Sequence, residues 1–161
     1  MKKLISAVKS LFVLSALALF TIAASSCSLV GDEDESGTFV STTGGTTKSY
    51  LFSSGSYFKL HNYQRFTLGS KTIIYDYDEL SGYYYGSIKE SGAVTLKIQR
   101  KANSLTDEYV QEKISNSTSS TVTFTNLDFT MELLSSVETK IGTITNDGKY
   151  FTIDLTTYTK D

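Results

Sequence analysis

One cysteine, one histidine and no tryptophan occur among the 161 residues. A lone cysteine rules out a disulfide within the chain. It also leaves Cys-rich zinc sites and Cys/His nucleophilic pairs without their partners. The histidine, His61, sits in Lys59-Leu60-His61-Asn62, where strand alternation makes it a surface or hydrogen-bonded residue. There is no Gly-x-Ser-x-Gly and no glycine-rich phosphate loop before a helix. These absences point away from an enzyme, and no catalytic residue, metal or cofactor is expected.

What is present begins with a leader. Lys2, Lys3 and Lys9 form a positive start, Leu11 to Ala24 is a run of apolar and small residues, and Ala23-Ala24-Ser25-Ser26 supplies small side chains for a signal peptidase. Cys27 follows directly. Ala24-Ser25-Ser26-Cys27 resembles the lipobox of bacterial lipoproteins, with Ala24 where the common form has Leu. The resemblance implies a signal peptide over 1–26, lipid on Cys27, and attachment to the outer membrane of a diderm bacterium. Removing 26 of the 161 residues leaves 135, enough for one domain. The leader holds three lysines and no acid, so 12 basic and 17 acidic residues remain, a net charge of −5. So acidic a chain, without a long basic cluster, is unsuited to nucleic acid.

Residues 27–36 read as the lipidated Cys27 and an acidic tether. The run Asp32-Glu33-Asp34-Glu35 repels itself and resists burial, so an extended, mobile segment reaching about 30 Å is expected. The run lacks the spaced ligands and turn glycine of a calcium loop.

From Gly37 to Asp161 the chain reads as strands. Val94, Leu96 and Ile98 alternate with Thr95, Lys97 and Gln99; Phe129, Met131 and Leu133 with Asp128, Thr130 and Glu132; Phe151, Ile153 and Leu155 with Thr152, Asp154 and Thr156. Each pattern predicts one buried and one wet face. Ser54-Gly55, Ser91-Gly92 and Asp147-Gly148 mark turns. Gly86 to Gly92 and Gly142 to Gly148 share one glycine spacing, a repeat of hairpin chemistry without a solenoid period. Ser104-Leu105-Thr106-Asp107 resembles a capping box with Ser104 as N-cap, which predicts a short helix, although alternation over Tyr109 to Ile114 also suits a strand. The expected class is all-β: a small antiparallel barrel or sandwich of about eight strands with one short helix.

Gly37-Thr38-Phe39 stands where lipocalin strands open with Gly-x-Trp, and the hairpins Gly86 to Leu96 and Gly142 to Leu155 look like their turn units. Residues 37–161 thus resemble the lipocalin-like (calycin-type) domains of small bacterial lipoproteins. The resemblance implies a β-barrel that holds a small apolar ligand.

Two clusters remain. In Tyr75-Asp76-Tyr77-Asp78-Glu79, Asp76 and Asp78 share a strand face but need further oxygens to hold a cation. Gly82-Tyr83-Tyr84-Tyr85-Gly86 suits cross-strand packing or a contact surface. With a turn at Leu80 to Gly82, Tyr75 and Tyr77 would meet Tyr83 and Tyr85 across a hairpin, forming an aromatic strip for a protein or glycan. The functions left open are a lipid-anchored binding module for a small apolar ligand, a surface interaction protein, and a passive envelope component. For the anchor, Cys27→Ala is predicted to release the protein from membranes or leave the precursor uncleaved. Fractionation and precursor size check this, and an unchanged membrane fraction with normal processing would refute it.

Overall fold

A computed structural model describes residues 35–161; the leader, Cys27 and residues 32–34 lie outside them. Nine strands and one helix follow: β1 (Gly37–Thr43), β2 (Thr46–Ser53), β3 (Tyr57–Leu68), β4 (Lys71–Tyr85), β5 (Gly92–Ala102), α1 (Asp107–Asn116), β6 (Thr121–Thr125), β7 (Met131–Thr145), β8 (Tyr150–Ile153) and β9 (Thr156–Lys160). Strands β1-β2-β3-β4-β5-β7-β8-β9 pair antiparallel in that order, and β9 returns to β1. The result is a closed eight-stranded barrel. Every strand of the ring has a neighbour on both sides, although β7 meets β8 only over Thr143 to Thr145. β6 stands outside the ring, parallel to the first part of β4. The three turn signals fall at strand junctions as expected.

The interior follows the period-two reading at several strands. Val94, Leu96 and Ile98 are buried, as are Phe151 and Ile153. Phe39, Phe52, Phe58, Tyr84 and Phe151 fill one end of the barrel, with Phe52 edge-on to Tyr84 at 4.9 Å and to Phe151 at 5.5 Å. Each buried ring contributes roughly 1.5–3 kcal/mol, and edge-to-face contact adds to that. Gly142 belongs to this packing, because a Cβ there would lie 2.2 Å from the Phe151 ring.

Two alternating patterns end differently. Leu155 is fully exposed, because β8 stops at Ile153 and Asp154-Leu155 reverses the chain with φ of 48° and 63°. A two-residue turn with both φ positive matches the twist of a hairpin. Phe129, Met131 and Leu133 do not share a strand face. Phe129 precedes β7, Met131 is half-buried and Leu133 is exposed. The register between β5 and β7 jumps from Ile98↔Glu138 to Arg100↔Leu133, so the regular alternation is lost there.

Glu35 departs from the solvated tether. It is 4% exposed. Its carboxylate accepts hydrogen bonds from Ile88 N and Ser87 Oγ, both at 2.7 Å, and its carbonyl accepts one from Tyr84 Oη at 3.2 Å. Charge-assisted bonds to a backbone N–H offset the desolvation that self-repulsion alone does not foresee. The chain therefore enters the barrel pinned at the aromatic end.

The helix forms, starting slightly later than predicted: Thr106 is the N-cap, accepting from Tyr109 N at 3.3 Å. Its Val110 and Ile114, with Leu105 just before the N-cap, pack onto a second cluster of Ile73, Val122 and Phe124. Asp128 fastens it, accepting from Lys113 Nζ and Tyr109 Oη at 2.5 Å each and from Thr125 N at 2.7 Å. Among the described residues no helix is long and apolar enough to cross a membrane.

The packing predicts that Phe151→Ala costs roughly 3–5 kcal/mol and Thr152→Ala, on the wetter face, less than about 1. Urea unfolding midpoints measure both, and equal losses would mean the face assignment is wrong.

Candidate ligand-binding site

The aromatic cluster fills only one end of the barrel. Toward the other end the inward positions change character. On β2 the inward row runs from Phe52 and Tyr50 to Lys48, and on β3 from Phe58 and Leu60 to Asn62. What remains is an open cup of about 470 Å³. Tyr50, Leu60, Leu80, Ile153 and Tyr158 form its floor, and Lys48, Glu79, Lys140 and Asp154 stand around its wall with Ser41, Thr43 and Thr156. The volume lies in the range of small-ligand sites.

Glu79 reaches this wall through a bulge. β3 and β4 pair Leu60↔Leu80 and then His61↔Asp78, which leaves Glu79 as the extra residue. Lys48 Nζ meets Glu79 Oε2 at 2.7 Å, and Lys140 Nζ meets Asp154 Oδ2 at 2.6 Å. Both pairs are partly solvated, so each adds little stability but holds its charges in place. Burial, then Tyr158, Asp154 and Glu79, push the Tyr50 hydroxyl well above the ordinary tyrosine range. Burial, then Glu79 and Asp154, raise Tyr158 as well. Both hydroxyls stay protonated at neutral pH and offer donors at an apolar floor. The hydrogen bond to Asp154 raises Lys140, which therefore stays charged. An apolar floor with two tyrosine hydroxyls and a charged wall suits a ligand with an apolar body and a polar end.

A second cavity, of about 530 Å³, adjoins the cup at Lys48 and Glu79. It occupies the fork where β5 parts from β4 and β6 takes up the pairing. Tyr75 and Tyr77 line it. Tyr77 stacks on Phe129 with ring centres 3.8 Å apart, and Tyr75 stacks between Phe124 and Phe66.

This placement corrects the expected tyrosine strip. There is no turn at Leu80 to Gly82: β4 runs unbroken from Lys71 to Tyr85, and Leu80, Ser81 and Gly82 are buried within it. Tyr75 and Tyr85 are thus ten residues apart along one strand, about 33 Å. The bulge at Glu79 also changes which face the odd positions take. Tyr75 and Tyr77 share the inward row with Gln64 and Asn62, whereas Tyr83 is exposed outside, edge-on to Tyr57 at 5.9 Å, and Tyr85 is half-buried. The four tyrosines do not form one surface.

His61 is hydrogen-bonded, as its strand position suggested. Nδ1 lies 3.2 Å from Asp78 Oδ1 and Nε2 lies 3.0 Å from Asp76 Oδ1. Lys59 donates to Asp78 Oδ2 at 2.9 Å. The two carboxylates are thus engaged with basic groups, and among the described residues no cluster of three His, Cys, Asp or Glu could hold a metal ion. Cys27, the expected lipid attachment point, lies outside the described residues.

Comparison of the chain with protein-family models, with curated proteins and with solved structures finds no match. The cup's wall residues escaped the sequence reading because Lys48, Glu79, Lys140 and Asp154 come from three strands and a turn, and no short motif joins them.

Burial pushes the Asp78 carboxyl up, but hydrogen bonds from Lys59 and His61 outweigh it and hold Asp78 below the usual aspartate range. A depressed folded-state value stabilises the fold above the unfolded value, about 4, and that contribution is lost as pH falls through the folded value. Asp78→Asn should therefore flatten the acid side of the stability curve. Melting temperatures across that range test this, and an acid limb as steep as that of the parent protein would refute the assignment.

Proposed function

We propose that this protein is a lipid-anchored, non-enzymatic binding module that holds a small ligand with an apolar body in the open half of its barrel. One observation carries the reading: the interior is filled with aromatic rings at one end and left as a cup of about 470 Å³ at the other. A barrel built only for stability would be packed throughout. Tyr50, Leu60 and Ile153 supply apolar contact, and the Lys48–Glu79 and Lys140–Asp154 pairs face the ligand's polar end. The eight-stranded closed barrel is the architecture that the lipocalin-like resemblance implies, and the leader and Cys27 support placement at the outer membrane of a diderm bacterium. The alternative contact surface of Tyr75, Tyr77, Tyr83 and Tyr85 has lost its support, since the four do not share a face.

The test uses N-phenyl-1-naphthylamine, an apolar dye whose fluorescence rises in dry pockets. The parent protein is expected to bind it saturably. Ser41→Trp, from a half-buried wall position outside the aromatic core, should fill the cup and lower dye affinity by about tenfold or more at an unchanged melting temperature. No binding by the parent protein, or equal binding by the variant, would sink the reading.

A further inference from the structure

Hydroxyl groups on buried rings are unevenly placed along this barrel. At the packed end the rings are Phe39, Phe52, Phe58 and Phe151, and Tyr84 beside them donates its hydroxyl to the Glu35 carbonyl at 3.2 Å. At the cup floor the rings are Tyr50 and Tyr158, 3% and 5% exposed, which meet edge to face with centres 5.0 Å apart. Phenylalanine would supply the same packing at either place. Among the described residues neither of these two hydroxyls has a hydrogen-bond partner, and neither oxygen is sealed from the cup. Hydroxyls on buried tyrosines usually find a partner. Two that lack one, on one cavity floor, are donors that the fold itself does not use.

Their surroundings say which acceptor would use them. Leu60, Leu80 and Ile153 lie beside them and carry no polar side-chain atom. An alcohol or an amine placed there brings a donor of its own, which needs an acceptor. Phenol oxygens accept poorly, because their lone pairs are shared with the ring. A carbonyl oxygen accepts and brings no donor. Charge then separates a neutral carbonyl from a carboxylate. Glu79 and Asp154 both push the two hydroxyls up, so a ligand anion at the same place would meet the same repulsion. The cations that could offset it, Lys48 and Lys140, are already paired with those acids. We infer that the cup selects a ligand whose apolar body carries a neutral carbonyl, a ketone or an ester, with the carbonyl oxygen seated on the Tyr50 and Tyr158 hydroxyls. The inference rests on the cup being the binding site and adds what the cup recognises.

The experiment displaces N-phenyl-1-naphthylamine from the full chain with 2-octanone, 1-octanol, octanoate and octylamine, whose carbon chains are of one length. 2-Octanone should displace the dye at a concentration about tenfold or more below the other three, as expected of a site built around one polar group. Tyr50→Phe combined with Tyr158→Phe should abolish that advantage. Dye affinity and melting temperature should hold, because no hydrogen bond within the fold is lost. Tyr158→Phe alone, expected to weaken 2-octanone by about threefold or more, serves if the double variant fails to fold. Dye binding with 2-octanone no better than the other three, or with ketone affinity unchanged in the variants, would overturn the inference and leave the functional reading standing. Absence of dye binding by the parent protein would sink both.

Discussion

One extra residue in β4 governs most of what lies inside this barrel. Without the bulge at Glu79, the pairing that joins Phe58 to Gly82 and Leu60 to Leu80 would continue to Asn62↔Asp78 and put carboxylates inside. With it, the inward row passes from Leu80 to Tyr77 and Tyr75, and the two aspartates turn outward to His61. Glu79 itself is left at the junction, where Lys48 meets it. Asp78 is thereby spared burial in the interior, where an unpaired carboxylate would be strongly disfavoured. The wall between the two cavities, the inward tyrosines and the outward ion-pair cluster thus share one cause.

A division of labour follows along the barrel axis. The aromatic end, latched by Glu35 and closed over Phe39, Phe58 and Phe151, supplies the packing that a chain with one cysteine must provide without a disulfide. The other end gives up packing for space. α1 and β6 buttress the side where β5 leaves β4, and the second cluster around Phe124 replaces the contacts that a regular strand pairing would have made. Empty volume is tolerated at one end because the other is dense; native stability needs only a modest net balance.

Much of the fold was legible because strands with one buried face declare themselves by alternation. Val94 to Ile98 and Phe151 to Ile153 were read correctly for that reason. Reading failed where period two was broken by geometry that composition does not encode. The bulge at Glu79 and the register jump opposite Gln99 look in sequence like any other strand residues. Ser81-Gly82 looked like a turn and is a buried stretch of strand, where Gly82 is needed because a Cβ would lie 2.0 Å from Lys97 O. Glu35 looked solvated because its neighbours are acids; its partners, Ser87 and Ile88, are more than fifty residues away. The candidate site was the least legible part, since its members meet only when the ring closes.

That ring is sealed by its first and last strands. Phe39 and Val40 pair with Lys160 and Thr159, and Asp161 N donates to Thr38 O at 2.9 Å. Few contacts span a longer stretch of chain, and long-range pairing of this kind slows folding because the loop must close before the contacts form. Strands β1 to β5 can form as successive local hairpins, but alone they constitute an open sheet with two raw edges. The floor of the cup is incomplete until β8 and β9 add Ile153 and Tyr158 to Tyr50, Leu60 and Leu80. A complete cup therefore requires the ring to close. Until then the chain is an unfinished sheet, at its most vulnerable to aggregation through its edges.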